Sequence, residues 1–209
     1  MTTENPPAQP KCTLEPMNLH DQAQADELLR QRKVCGWADK PEDITKWRDK
    51  MEGNNRTVSL FWIRPTSQPG LRVGHISLDS EARVPDLELA NPHDKSVLTI
   101  ANLFILPEHR RGGIGRAAVQ TLEKWATIEP YGSRNCKTIA LTAVSRKYTD
   151  DDEWRAEYLR MAGVEPPKPG FSNEEWYSRM GYTKWKDERL YPGPDGYKFL
   201  ASFLRKRIA

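Results

Sequence analysis

Leu103-Phe104-Ile105-Leu106-Pro107-Glu108-His109-Arg110-Arg111-Gly112-Gly113-Ile114-Gly115-Arg116-Ala117 is the stretch on which the reading of this chain turns. Leu103 to Leu106 is an apolar, strand-forming run. Pro107 stops it, because proline has no amide with which to continue a ladder. From Gly113 to Glu129 a helix is expected, with Ile114, Ala118, Leu122 and Trp125 along one face. Three glycines (Gly112, Gly113 and Gly115) and three arginines (Arg110, Arg111 and Arg116) fall in the turn and the first residues of that helix. Glycine lets a backbone wrap closely around a ligand. A helix N-terminus offers unpaired amides and partial positive charge. Arg110, Arg111 and Arg116 add fixed charge, and the combination suits a phosphate or pyrophosphate.

Which phosphate ligand is a separate question. Gly113-x-Gly115-x-x-Ala118 matches the dinucleotide fingerprint formally. However, Pro107 to Gly112 intervene between strand and fingerprint. Ser145 and Arg146, rather than an acidic residue, end the following strand. Arg146 keeps an NADP site open as an alternative. The Walker pattern G-x-x-x-x-G-K-[ST] occurs nowhere in the chain.

Working outward, residues 1–10 read as a disordered tail. A first short strand is expected around Cys12-Thr13-Leu14. A helix follows from Asp21, with Asp21 and Gln24 at capping-box spacing, until Gly36. A second begins at Pro41 and carries Ile44, Trp47 and Met51 on one face, with Gly53 placed to end it. Arg56 to Arg64, dense in β-branched and aromatic residues, reads as a strand buried on both faces. Leu71 to Leu78 completes a hairpin, and Val97 to Leu106 reads as one long third strand. After the glycine-rich turn and its helix comes a strand from Lys137 to Val144. Thr149 to Met161 reads as an inserted helix capped by Thr149 and Asp152, with a Pro-rich connector behind it. Ser172 to Met180 is a short helix capped by Ser172 and Glu175. Tyr182 to Leu190 and Leu200 to Arg207 are the last strands. This order gives an α/β (α+β) fold, a mixed sheet of about seven strands with helices on both faces.

The chain has 209 residues, of which 32 are Lys or Arg and 29 Asp or Glu, for a net charge of +3. At 37 % apolar content it can build a core, which excludes a fully disordered chain. So small a net charge gives no argument for a nucleic-acid partner. No apolar run reaches the ~20 residues needed to span a bilayer. The polar start lacks the pattern of a signal peptide, so a cytoplasmic location, with the nucleus open, is expected. Cys12, Cys35 and Cys136 form no C-x-x-C pair and read as reduced thiols, with no metal site.

Arg110-Arg111-Gly112-Gly113-Ile114-Gly115 resembles the Arg/Gln-x-x-Gly-x-Gly/Ala acetyl-CoA motif of the GNAT N-acetyltransferase superfamily, small fungal-type members included. Leu103-x-Ile105-x-Pro107-x-x-Arg110 resembles the strand that leads into it. Trp176-Tyr177-Ser178-Arg179-Met180-Gly181-Tyr182 is similar to the family's later helix-to-strand segment. The resemblance covers roughly residues 11–208 as a single domain, with 145–170 as an insertion. It implies a V-shaped split between the fourth and fifth strands that takes acetyl-CoA as cosubstrate. By resemblance, the backbone at Phe104, Ile105 and Leu106 would hold the pantetheine arm. The amides of Arg111, Gly112, Gly113, Ile114, Gly115 and Arg116 would cradle the pyrophosphate, with Arg110 shaping the loop. The acceptor amine would attack the thioester directly through a tetrahedral intermediate. The Ile105 amide would face the oxyanion, and Tyr177 would be general acid to the CoA thiolate. Arg179 would reach a CoA phosphate. Gly170 stands where many members have an asparagine, which leaves Asn173, or a water, as a stand-in for a pantetheine contact.

The general base is open between His75, Glu88 and water. Trp37, Trp47, Asp86, Glu88, Asp187 and Tyr191 are candidate lining residues for the acceptor. A small-molecule amine is favoured as partner, with a peptide or protein amine open and neither nucleic acid nor membrane expected. Two other functions stay in view: an acyl-CoA-binding sensor without catalysis on the same fold, and an NADP-binding oxidoreductase.

Overall fold

A computed structural model describes residues 10–52 and 56–209. Residues 1–9 of the expected tail, and Gly53, the expected stop of the second helix, lie outside the described residues. Among the described residues, eight mostly antiparallel strands and six α-helices make up the mixed α/β fold that the element order implies. They divide into two compact units: the described residues up to Asp79 with Asn102–Gly132, and Ser80–Ala101 with Ser133–Ala209.

In the first unit, strands β1 (Cys12–Pro16), β2 (Val58–Pro65), β3 (Gly74–Asp79) and β5 (Leu103–Ile105) lie side by side in the order β1-β2-β3-β5, all antiparallel. β2 is buried on both faces, as its composition predicts. Leu60 and Trp62 point into a cluster with Leu28 of α1 (Gln22–Cys35) and Ile44 of α2 (Pro41–Met51). Phe61 turns the other way. Its ring meets Trp125 of α3 (Ile114–Trp125) edge-on at 5.2 Å. Alternation along a strand thus supplies both layers. Gly74 is required by a close approach: a Cβ there would lie 2.2 Å from the Phe104 carbonyl oxygen. Asp21 caps α1 through the Ala23 amide rather than that of Gln24. The Gln24 side chain instead binds Asp21 and Trp62.

The second unit holds β4 (Val97–Thr99), β6 (Thr138–Val144), β7 (Thr183–Pro192) and β8 (Lys198–Arg207) in the order β4-β6-β8-β7. β4 runs parallel to β6; the other two pairings are antiparallel. The expected long strand Val97–Leu106 is therefore two strands, one in each unit. The Ile100 amide still follows β6, donating to the Ala140 carbonyl, whereas the Asn102 amide donates to the Ser77 hydroxyl beside β3. The residues are strand-forming throughout, but the pairing partner changes between them. The expected inserted helix is also two pieces, α4 (Lys147–Asp150) and α5 (Asp152–Ala162). Asp151, not Thr149, caps α5, through the amides of Glu153 and Trp154. Trp154, Tyr158 and Met161 of α5 pack on Tyr148, Phe199 and Leu200. α6 (Asn173–Ser178) is capped by Ser172 on the Glu175 amide, as its spacing predicts.

Candidate functional site

The first unit carries the glycine-rich turn. Antiparallel pairing alternates bonded and non-bonded residues. Asn102 O accepts from Ser77 N, and Leu106 N donates to Val73 O. The peptide groups of residues 102, 104 and 106 therefore face β3, and those of Leu103 and Ile105 face the opposite edge. Among the three residues singled out on this strand, Ile105 is the one whose amide is turned away from its neighbour. Its carbonyl accepts from Arg110 Nε at 2.9 Å, and the Arg110 guanidinium lies 5.6 Å over the Phe104 ring. Arg110 is thus folded back on its own strand.

Pro107–His109 forms one 3-10 turn, and the chain then crosses an exposed loop into α3. Arg111 at φ +73° and Gly113 at φ +78° both adopt the left-handed conformation. Left-handed residues interleaved with ordinary ones turn successive amides toward a common concavity. Gly113 is the N-cap of α3, and no side chain caps the helix there. A Cβ on Gly112 would meet only Ile114 Cγ1 at 4.0 Å, so the space above the loop is open. A Cβ on Gly113 would instead lie 3.1 Å from Lys11 Nζ. Lys11 donates to the Gly112 carbonyl at 2.9 Å from 101 residues away. Cys12 Sγ reaches the Ile114 carbonyl at 3.7 Å.

His75, opposite Phe104 on β3, is fully buried between the Gln31 side chain (Nδ1, 3.0 Å) and the Arg32 guanidinium (Nε2, 3.3 Å). Burial, with the Arg32 charge second, lowers its pKa to about 3. Both ring nitrogens are engaged and the ring stays neutral at working pH. Trp47 packs against the α1–α2 cluster, with Arg32 over its ring at 5.1 Å; Trp37 is 45 % exposed. This unit also has a cavity of about 530 Å³, bordered by Arg30, Arg64, Arg72, Glu27, Glu108 and His109. Its arginines already face carboxylates, Arg30 on Glu27 and the other two on Glu15, so its charge is balanced.

The second unit carries α6. Tyr177 is 7 % exposed and packs edge-on against Trp176 at 4.8 Å and Tyr182 at 5.5 Å. No hydrogen bond to its hydroxyl is found among the described residues. Burial, with Tyr191 nearby, pushes its pKa above the ordinary phenol value. Asn173 is exposed in the first turn, and Arg179 is exposed and paired with Glu175 at 2.6 Å. Glu174 is a residue that sequence reasoning missed. It is 3 % exposed; its Oε2 accepts from the Arg146 amide at 2.7 Å and the Ser202 hydroxyl at 2.6 Å, and Lys184 Nζ lies 3.3 Å from Oε1. One carboxylate thus ties α6 to the end of β6, to β7 and to β8. In the sequence it is one of two glutamates in a capped first turn, and nothing there marks it as buried.

The remaining lining candidates of this unit are committed to neighbours. Asp86 pairs with Lys186 at 2.7 Å and Glu88 with Arg205 at 3.2 Å. Asp187 accepts from Ser202 at 2.5 Å and faces Lys184 and Lys147. The Tyr191 hydroxyl donates to Thr142 at 2.8 Å.

With this geometry in hand, comparison with known proteins is direct. Residues 23–148 match the family model described as the Acetyltransferase (GNAT) family. The chain belongs to the GNAT acetyltransferase family. No curated protein matches it by sequence. Among solved structures it is similar to the spermidine/spermine N-acetyltransferase of Vibrio cholerae, at 11 % identity and a TM-score of 0.57 over 95 % of this chain and 93 % of that one. It is also similar to the aminoglycoside 6'-N-acetyltransferase of Enterococcus faecium, at 15 % identity and a TM-score of 0.59 over 94 % and 97 %. An aminoglycoside 6'-N-acetyltransferase in complex with coenzyme A gives 15 % identity and a TM-score of 0.61 over 94 % and 97 %. At such identities these likenesses speak for the fold. The family match ends before α6 and begins after Lys11.

Proposed function

We propose that this chain is an acetyl-CoA-dependent N-acetyltransferase acting on the primary amine of a small molecule. The observation that carries the reading is the loop Arg110–Arg116: two left-handed residues, an N-cap without a side chain, and open space over Gly112. A pyrophosphate fits such a cradle, because converging amides and a helix N-terminus favour an anion where no Cβ intrudes. The amides of Arg111 to Arg116 would hold it. Bound acetyl-CoA supplies the acetyl group as an activated thioester.

The Ile105 amide, on the outer edge of β5, would donate to the oxygen on which negative charge develops during transfer. Tyr177 is a protonated phenol whose hydroxyl is engaged by no described residue. That suits it to donate a proton to the departing thiolate. Asn173 would contact the pantetheine arm, and Arg179 would reach a phosphate by leaving Glu175. Direct transfer is favoured over a covalent carrier at Cys12 or Cys136, since both are buried and burial raises both thiols, Cys12 to about 11. His75 is unsuited as base, because a useful base titrates near working pH. Glu88 is already paired with Arg205, so water is the favoured proton acceptor. The similar structures named for spermidine and aminoglycoside acetylation support a small amine as acceptor.

Calorimetry with acetyl-CoA, CoA and NADPH, followed by thiol release against an amine panel, tests the reading. Binding of CoA and acetyl-CoA with amine-dependent thiol release is expected. NADPH binding without CoA binding would overturn it in favour of an oxidoreductase. CoA binding with no turnover of any amine would favour a sensor.

A further inference from the structure

We propose that Lys11 is a phosphate-binding residue of the Arg110–Arg116 loop, supplied in space by β1; this rests on the reading of that loop as the cradle for coenzyme A. Lys11 lies outside the segment that matches the family, and the charges read from the sequence were those of the loop itself and Arg179 after α6. Three observations carry the assignment.

The backbone of Lys11 is held where its side chain must cross to the loop. Its carbonyl accepts from Thr66 N at 3.1 Å, and the next residue, Cys12, pairs with Pro65 in β2 and touches the Ile114 carbonyl. The ammonium then sits on the Gly112 carbonyl at 2.9 Å and 3.1 Å from the Cβ position of Gly113. It is therefore in contact with the turn rather than near it.

The ammonium also has donors to spare. It carries three N–H groups. One is used on Gly112, and no carboxylate pairs with it among the described residues. Arg110, by contrast, is folded back onto Ile105 and Phe104.

The third point is electrostatic. A carbonyl such as that of Gly112 presents negative charge that would repel an incoming phosphate. An ammonium seated on that oxygen reverses the sign of the local field, and its remaining N–H groups can reach a phosphate oxygen in a charge-assisted hydrogen bond. Lysine suits this as a compact point charge.

The experiment compares wild type with Lys11→Gln and Lys11→Arg, each checked for an unchanged melting temperature. CoA affinity is measured by calorimetry. The ratio of kcat/KM for acetyl-CoA to that for S-acetylpantetheine, which lacks the phosphates, is measured by thiol release. Lys11→Gln should weaken CoA binding and lower the ratio about tenfold, the worth of one hydrogen bond to a charged group, and Lys11→Arg should restore most of both. Unchanged CoA affinity in Lys11→Gln would overturn the proposal. So would a lost affinity with an unchanged ratio, which would assign Lys11 to shaping the loop. If wild type binds no CoA at all, the reading of the loop fails first.

Discussion

At the scale of single residues, two buried rings with opposite tasks invite measurement. Tyr177 has a hydroxyl with no described partner and a pKa pushed upward by burial, so it keeps its proton throughout the neutral range. Tyr177→Phe should lower kcat by about 10²–10⁴-fold while CoA affinity is unchanged. The wild-type rate should show no alkaline loss at the ordinary phenol pKa of ~10. Steady-state kinetics across pH checks both, and an unchanged kcat would remove Tyr177 from the mechanism. His75 is neutral in the fold, with its pKa lowered to about 3 by burial and Arg32. The unfolded chain takes up this proton near pH 6.5. Between those values the unfolded state binds more protons, so stability is lost as pH falls from about 6.5 toward 3 and regained as it rises. Replacing His75 by Asn, which can still bond Gln31, should flatten that slope in urea denaturation. The effect should be of the order of a few kcal/mol at most, since one pKa unit is worth about 1.4 kcal/mol.

At the scale of elements, the turn into α3 and the short helix α6 are the parts on which the proposed function rests. Gly112 and Gly113 are adjacent but not equivalent. Gly113 needs its left-handed φ and faces Lys11, so a side chain there strains the fold. Gly112 has ordinary φ and open space above it. Gly112→Val should therefore leave the melting temperature near wild type yet abolish measurable CoA binding, and retained binding would show that the ligand lies elsewhere. Helix α6 has six residues, too few to be stable alone. Glu174 anchors it, and Glu174→Ala should cost about 1–3 kcal/mol by leaving the Arg146 amide without its acceptor, while Ser202 keeps Asp187. Chemical denaturation measures this. Element by element, the sequence was readable where local chemistry decides. The Ser172 cap, the two-faced burial of β2 and the stop at Pro107 follow from neighbours in the chain. It was unreadable where distant residues decide. The break between β4 and β5 comes from a change of partner, Ala140 for Ile100 and Ser77 for Asn102, in a run that is strand-forming throughout. Lys11 and Glu174 were missed for the same reason: one acts 101 residues away, and the other hides among capping glutamates.

At the scale of the whole molecule, a near-balanced charge of +3 conceals a division of labour. Most carboxylates near the candidate acceptor residues are paired, Asp86 with Lys186, Glu88 with Arg205 and Asp187 with Lys184. The basic groups of the Arg110–Arg116 loop and Lys11 stand exposed around one turn. That asymmetry supports the proposed use of a phosphate-rich donor with a small acceptor. Among the described residues no helix is long and apolar enough to cross a membrane. The most direct test of the central claim is acetyl-CoA turnover by the purified full chain against a panel of small primary amines that includes a polyamine and an aminoglycoside, with free thiol and acetylated product both quantified. The account predicts thiol release that depends on the amine and matches acetylated product one for one. Acetyl-CoA bound but no acetylated amine from any member of the panel would contradict it.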